Sequence, residues 1–340
     1  MSWKFKIDGE TYYAELKSLT EELNGDEYGK FTLLNTPRNR EIITSNQNVV
    51  IQFFNKDIYK GLLVGADYKQ GNLDCKIYNP VYYYMNKKDH THTWAGSTGD
   101  VVVSGIAHDA GILYGITPSN NTINTVFEFA NTLDAGRYVA EITNKDIWTS
   151  GFDTLNIGSR GSNKGTLNDF TISNRGVSRD KQYTKIRIRG QDASGNRIYG
   201  LAGLTNSGSL TTVITGVAKE GEMQTDVKNF IDKQSRTITD LNEKAVYKLN
   251  LYKTETDSMQ LKTPINEGYT LFPGDTLNIN NAELNLAGEY RIWKTIKKPT
   301  EVTLELDRPA NCVEHEIIDL KKLEDLGIYP LVASQVADGS

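Results

Sequence analysis

The sequence predicts an α+β chain that is mainly β, with two β-barrel domains, an α/β insert and a linker helix. Three observations carry that prediction. Short runs alternating apolar and polar residues gather in two stretches, one at the N-terminus and one beyond residue 246. Between them the apolar spacing lengthens to threes and fours, the period of helices. The composition, with 18 Tyr, 29 Gly and only 4 Met among 340 residues, suits strands joined by polar turns.

The first stretch opens with Trp3, Phe5 and Ile7 alternating with Lys4 and Lys6, and the Asp8-Gly9 pair then turns the chain toward Tyr12, Ala14 and Leu16. Runs at 30–34, 49–54, 61–68 and 73–78 continue the series, so residues 1–85 read as the first barrel. Pro80 closes the last strand at Asn79, and Val81 to Met85 form a turn or short helix.

Residues 86–172 read as a small α/β insert. Val102, Val103, Ile106, Ala107 and Ala110 form a helical stripe with Asp100 as its cap and Gly111 as its stop. Ile123, Val126, Phe127, Ala130 and Leu133 give a second helical face ending at Gly136, and residues 137–142 and 153–159 then return to strand. Residues 173–215 form a β return segment, completing or bridging the first barrel, with Lys185 to Gly190 and Asn196 to Gly200 as a hairpin charged on one face and carrying isoleucines on the other.

Residues 216–246 carry the longest helical pattern, through Val227, Phe230, Ile231, Ile238, Leu241 and Ala245, and give the linker helix. The second barrel spans 247–309, with strands at 246–252, 259–262, 275–280, 288–298 and 301–306 and a turn at Pro273-Gly274. Residues 310–340 end the chain with a short helix through Val313, Ile317, Leu320, Leu323 and Leu326, and a loose tail from Ile328.

Charge and motifs exclude more than they assign. A formal net charge of -5 argues against a chain built to grip phosphate backbones, although a local basic patch is compatible with it. The N-terminus lacks a basic region followed by an apolar one, and no apolar run approaches the ~18 residues of a membrane span, so a chain made in the cytoplasm with no membrane association is expected. Cys75 and Cys312 stand far apart, as two buried thiols. His90 and His92, beside Asp89, have the spacing of a metal pair, yet two histidines do not close a site, and a solvated loop is expected. His108-Asp109 reads as helix-surface charge, and the Gly158 to Gly165 run as a β–β loop lacking the order of a phosphate-binding loop. No catalytic, cofactor-binding or metal residue is assigned, and no cofactor is expected.

The order of elements, with several short strings, resembles the baseplate hub proteins of tailed phages, the late control protein D type and the Mu-like and T4-like hubs. The strings are Gly61 to Met85, Gly96 to Ile112, Asn121 to Ile142, the hairpin around "IRGQDASGN", and "FPGDTLNI" with the strands that follow. The resemblance implies two tail-tube-like barrels per chain and no enzyme activity. It further implies a homotrimer in the virion tail, bound to the tail tube protein above, the spike or tip protein below and other baseplate proteins, with DNA passing through its channel without specific binding. The alternative is a tail-associated receptor- or carbohydrate-binding protein using the Tyr82 to Tyr84 cluster, and a glycan hydrolase is the third reading.

Overall fold

The computed structural model describes residues 3–43, 46–143, 145–178, 185–191, 196–205, 210–212, 227–231, 238, 241–242, 245–246, 249, 256–281, 286–307 and 328–330. The N-terminal strands form as the alternation predicts: β1 (Trp3–Ile7), β2 (Glu10–Tyr12), β3 (Ala14–Glu22), β4 (Tyr28–Leu34), then α1 (Pro37–Ile42), β5 (Gln47–Phe53), β6 (Lys56–Tyr68) and β7 (Asn72–Tyr78). Asp8 and Gly9 both take positive φ, 46° and 90°, in the two-residue turn of the β1–β2 hairpin. Helix α2 (Pro80–Met85) starts at Pro80, capped by the Asn79 side chain, which accepts the Tyr82 N–H.

The α/β unit follows with β8 (Asp89–Thr98), α3 (Gly99–Ala110), β9 (Leu113–Tyr114), β10 (Thr122–Asn131), α4 (Thr132–Ile142), β11 (Asp146–Ser150) and β12 (Thr154–Gly158). Helix α3 ends at Gly111 in the left-handed conformation, φ 70°, while its N-cap is Thr98 and not Asp100, which lies in the first turn. Two assignments exchange places here. The expected helix through Ile123 to Ala130 is strand β10, and the expected strand at 137–142 is helix α4. The cause is a bulge: Phe127 pairs with His92 and Ala130 with His90, so one extra residue converts a strand's spacing of two into a step of three. Ile123, Phe127 and Ala130, all buried, therefore mimic a helical stripe.

The remaining elements are β13 (Asn163–Thr166), β14 (Thr171–Ser178), β15 (Lys185–Gln191), β16 (Arg197–Leu204), β17 (Leu210–Thr211), β18 (Val227–Ile231), β19 (Thr256–Pro264), α5 (Ile265–Gly268), β20 (Thr276–Asn281), β21 (Leu286–Lys297), β22 (Glu301–Asp307) and β23 (Ile328–Pro330). Val227 to Ile231 thus belong to a strand, parallel to β15, and not to the expected linker helix. Residues 238, 241, 242, 245, 246 and 249 are helical, which also overturns the strand expected from 246. Leu241, Ala245 and Leu249 recur every fourth residue and are buried with Ile186, Ile188 and Ala202, so this face was decided by packing against the sheet. Ile328, expected in a loose tail, is buried, and β23 pairs with β10. The expected helix at 313–326 and Cys312 lie outside the described residues.

The two strand groups, expected as separate barrels, run as one 13-stranded sheet with the path β14-β19-β22-β21-β3-β4-β7-β6-β5-β1-β2. Its two ends, β14 and β2, do not meet, and no closed barrel forms among the described residues. The long strand β21 makes the join. On one edge it pairs with β22; on the other it pairs first with β20, through Leu286 to Arg291, and then with β3, through Lys294 to Lys297. Phe5, Phe31, Ile51 and Leu63 from the first group and Leu261, Leu277, Tyr290 and Leu304 from the second consequently lie in one buried cluster. The α/β unit has its own core, including Tyr82, Val103, Phe127, Val139 and Ile157.

Candidate functional site

The sequence-selected histidines form a structural cluster and not a solvated loop. Strand β8 places His90 and His92 two residues apart on one face, with ring centroids 6.2 Å apart. His90 is 1% exposed, and its Nδ1 lies 2.7 Å from Asp109 Oδ2 on α3. Trp94 Nε1 donates to His90 Nε2 at 3.1 Å. One tautomer meets both contacts, a neutral ring that donates from Nδ1 and accepts at Nε2. Burial holds the His90 pKa below its usual value despite the opposing pull of Asp109. Both ring nitrogens are engaged, so His90 has no lone pair left for a metal. Among the described residues, no group of three or more His, Cys, Asp or Glu is placed to hold one. Asp109 therefore does more than decorate the helix surface, while His108, 3.3 Å from Asp109 and largely exposed, does only that.

The other selected residues disperse. Tyr82 is 1% exposed and donates to the Ile147 carbonyl at 3.3 Å, leaving Tyr84 as the exposed member of the tyrosine cluster. A sugar-stacking platform of three tyrosines is therefore absent at 82–84. Cys75 is a buried free thiol whose pKa burial pushes up to about 12, far from reactive. The Gly158 to Gly165 run is pinned at both ends of its loop, by Asp146 Oδ2 accepting the Arg160 N–H at 2.9 Å and Asp275 Oδ1 accepting the Ser162 N–H at 2.9 Å.

Those carboxylates belong to a polar junction between the large sheet and the α/β unit. Glu27, buried in the β3–β4 connection, accepts from Asn79 Nδ2 at 2.6 Å and pairs with Arg160 at 3.6 Å. Burial raises the Glu27 pKa, with Arg160 pulling the other way. Asp146 on β11 also pairs with Arg291 of β21, Asp26 pairs with Arg137 of α4 at 3.1 Å, and Asn24 accepts the Ile147 N–H at 2.6 Å. Under this junction Lys297, fully buried, pairs with Glu21, its ammonium 4.1 Å from the Phe272 ring centre. Such a set fixes orientation, because every buried charge left without its partner would cost several kcal/mol. Sequence reading missed all of it. Asp146 and Arg291 are 145 positions apart and Glu21 and Lys297 276 apart, and no local spacing encodes such pairs.

A mainly β chain with a large open sheet carrying an α/β unit defines the class of fold. The same fold occurs in solved prophage tail proteins. The chain is similar to the 43 kDa tail protein of prophage MuSo2 from Shewanella oneidensis, at TM-score 0.65 and 10% identity, over 92% of this chain and 99% of that one. It is similar to a tail protein from Neisseria meningitidis MC58, at TM-score 0.64 and 10% identity, over 91% and 97%. It is likewise similar to the prophage tail protein gp18 from Listeria monocytogenes EGD-e, at TM-score 0.62 and 11% identity, over 96% and 100%. No family model and no curated protein matches the sequence. The chain thus has a phage tail-protein fold, as the resemblance in its sequence implied.

Proposed function

We propose that the chain is a baseplate hub, a non-enzymatic homotrimeric ring that joins the tail tube to the spike or tip in a phage or prophage virion, made in the host cytoplasm. The observation that carries the proposal is end-to-end likeness: more than nine-tenths of this chain and nearly all of each of three tail proteins superpose in one alignment. The domain plan of two tube-like units, 1–85 with 173–215 and 247–309, flanking an insert at 86–172, belongs to the same proposal. Two features support assembly. The large sheet ends in unpaired edges at β2 and β14, which neighbouring copies would cover in a closed ring. Tyr13, 98% exposed, stands directly after β2. Sedimentation velocity and native mass spectrometry of the purified chain test the reading, with a trimer expected; a strict monomer at micromolar concentration, together with no trimer in assembled tails, overturns it.

A further inference from the structure

The four-stranded sheet β17-β16-β15-β18 has two unlike faces. Ile186, Ile188, Ile198 and Ala202 point to the helical residues Leu241, Ala245 and Leu249, and the Gly200 backbone meets Leu241 so closely that a Cβ there would lie 2.3 Å from a Leu241 backbone atom. The alternation of strands sends Lys185, Arg187 and Arg189 of β15, with Arg197 and Tyr199 of β16, to the other face. Arg187, Arg189, Arg197 and Tyr199 are exposed, and Arg189 stands directly opposite Tyr199. None of the four cations forms an ion pair with a described residue, whereas Lys69, Lys76, Lys294 and Arg137 elsewhere on the surface all do. A net charge of -5 therefore conceals one face that is cationic only.

We propose that this face binds the phosphate backbone of nucleic acid, independently of sequence. Successive cations along β15 stand about 6.7 Å apart, twice the rise of a strand residue. That interval lets a row of guanidinium and ammonium groups follow a line of phosphates, and arginine's planar fork meets phosphate oxygens in pairs. Tyr199 beside Arg189 adds a flat surface on which an unpaired base can stack. An acidic protein surface is the less suitable occupant. Protein interfaces are organised around an apolar centre, and the exposed side chains here are arginines around a single tyrosine. This inference is independent of the hub proposal, since it concerns the isolated chain and not its assembly.

Fluorescence anisotropy of the full chain with a labelled random-sequence duplex and a labelled single strand, at ~50 to 200 mM salt, tests it. Expected are salt-dependent binding, a loss of about tenfold or more in R187Q/R189Q, and a decrease of about two in the steepness of log affinity against log salt, near 0.9 for each phosphate released. The charge-preserving R187K/R189K should retain most of the binding, and thermal melts of both variants should overlay the parent, since the side chains are exposed. The preferred probe identifies duplex or single-stranded nucleic acid as the source of the phosphates. Absence of salt-dependent binding, equal binding by R187Q/R189Q, or tighter binding of labelled polyglutamate than of either nucleic acid overturns the proposal.

Discussion

His90 Nδ1 and Asp109 Oδ2, 19 positions apart in the chain, lie 2.7 Å apart and fasten strand β8 to helix α3. Trp94 closes the arrangement from the other side of the ring. Because burial depresses the His90 pKa, the folded state refuses a proton that the unfolded chain accepts below about pH 6.5. Stability should be unaffected by this group above that pH and fall as pH drops from about 6.5 to the folded-state value. Asp109 acts in a lower window. Partial burial opposes its ionisation, but contacts from His90 and His108 prevail and lower its pKa, so its contribution is lost only as pH falls through that lowered value. Melting temperatures from pH 5 to 8 for the parent and His90→Gln check the first window: the parent's loss on acidification should shrink in the variant, and identical slopes would remove His90 as the cause.

Trp94→Phe should keep the ring packing and remove only the N–H donor, leaving His90 Nε2 buried and unsatisfied. The expected cost is about 1–3 kcal/mol, read from the urea midpoint. A variant as stable as the parent would show that the Trp94 contact carries no weight.

Lys297 and Glu21 form a pair in which neither side chain is more than 5% exposed. Lys297→Ala strands the Glu21 carboxylate, and a loss of about 3–5 kcal/mol is expected. The double change Glu21→Leu/Lys297→Met replaces both charges with apolar groups and should recover most of that loss. If the double variant is no better than the single one, the pair's remaining contacts, to Thr295 and Phe272, carry the stability instead.

Gly161 has φ 97°, and a Cβ there would stand 2.0 Å from the Gly274 carbonyl oxygen. The loop after β12 and the turn before β20 cross at this point. Gly161→Ala combines a left-handed penalty of about 1–2 kcal/mol with overpacking of about 1–3 kcal/mol. Chemical denaturation should show a clear loss, while Gly165→Ala, with positive φ but open space around it, should cost the left-handed penalty alone.

Phe129 sits in the β10 bulge at φ 52°, 78% exposed, with its N–H donated to Thr91 Oγ1 at 3.0 Å. A bulky residue in that conformation is strained, and Phe129→Gly should raise stability by about 1 kcal/mol. A lower melting temperature in the variant would mean that the ring makes contacts worth more than the strain.

Strand alternation and turn pairs in the sequence determined most of the large sheet, because a half-buried strand writes its period directly into the chain: β1, β4 to β7 and β19 to β22 stand where Asp8-Gly9, Pro80 and Pro273-Gly274 bound them. Helix α3 was legible for the same reason, from Val102 to its Gly111 stop. Where one inserted residue altered the period, as in β10, local pattern and true structure parted. At 227–249 the same apolar residues suited either state until the β15–β16 sheet supplied a surface. Tertiary structure alone decided that two strand groups share one sheet through β21, that His90 meets Asp109, that Glu21, Glu27 and Asp146 find cations, and that the arginines of β15 and β16 share a face. Local periodicity records which face of an element is buried; which element buries it, and which charge it meets there, depends on long-range proximity that no short stretch of chain contains.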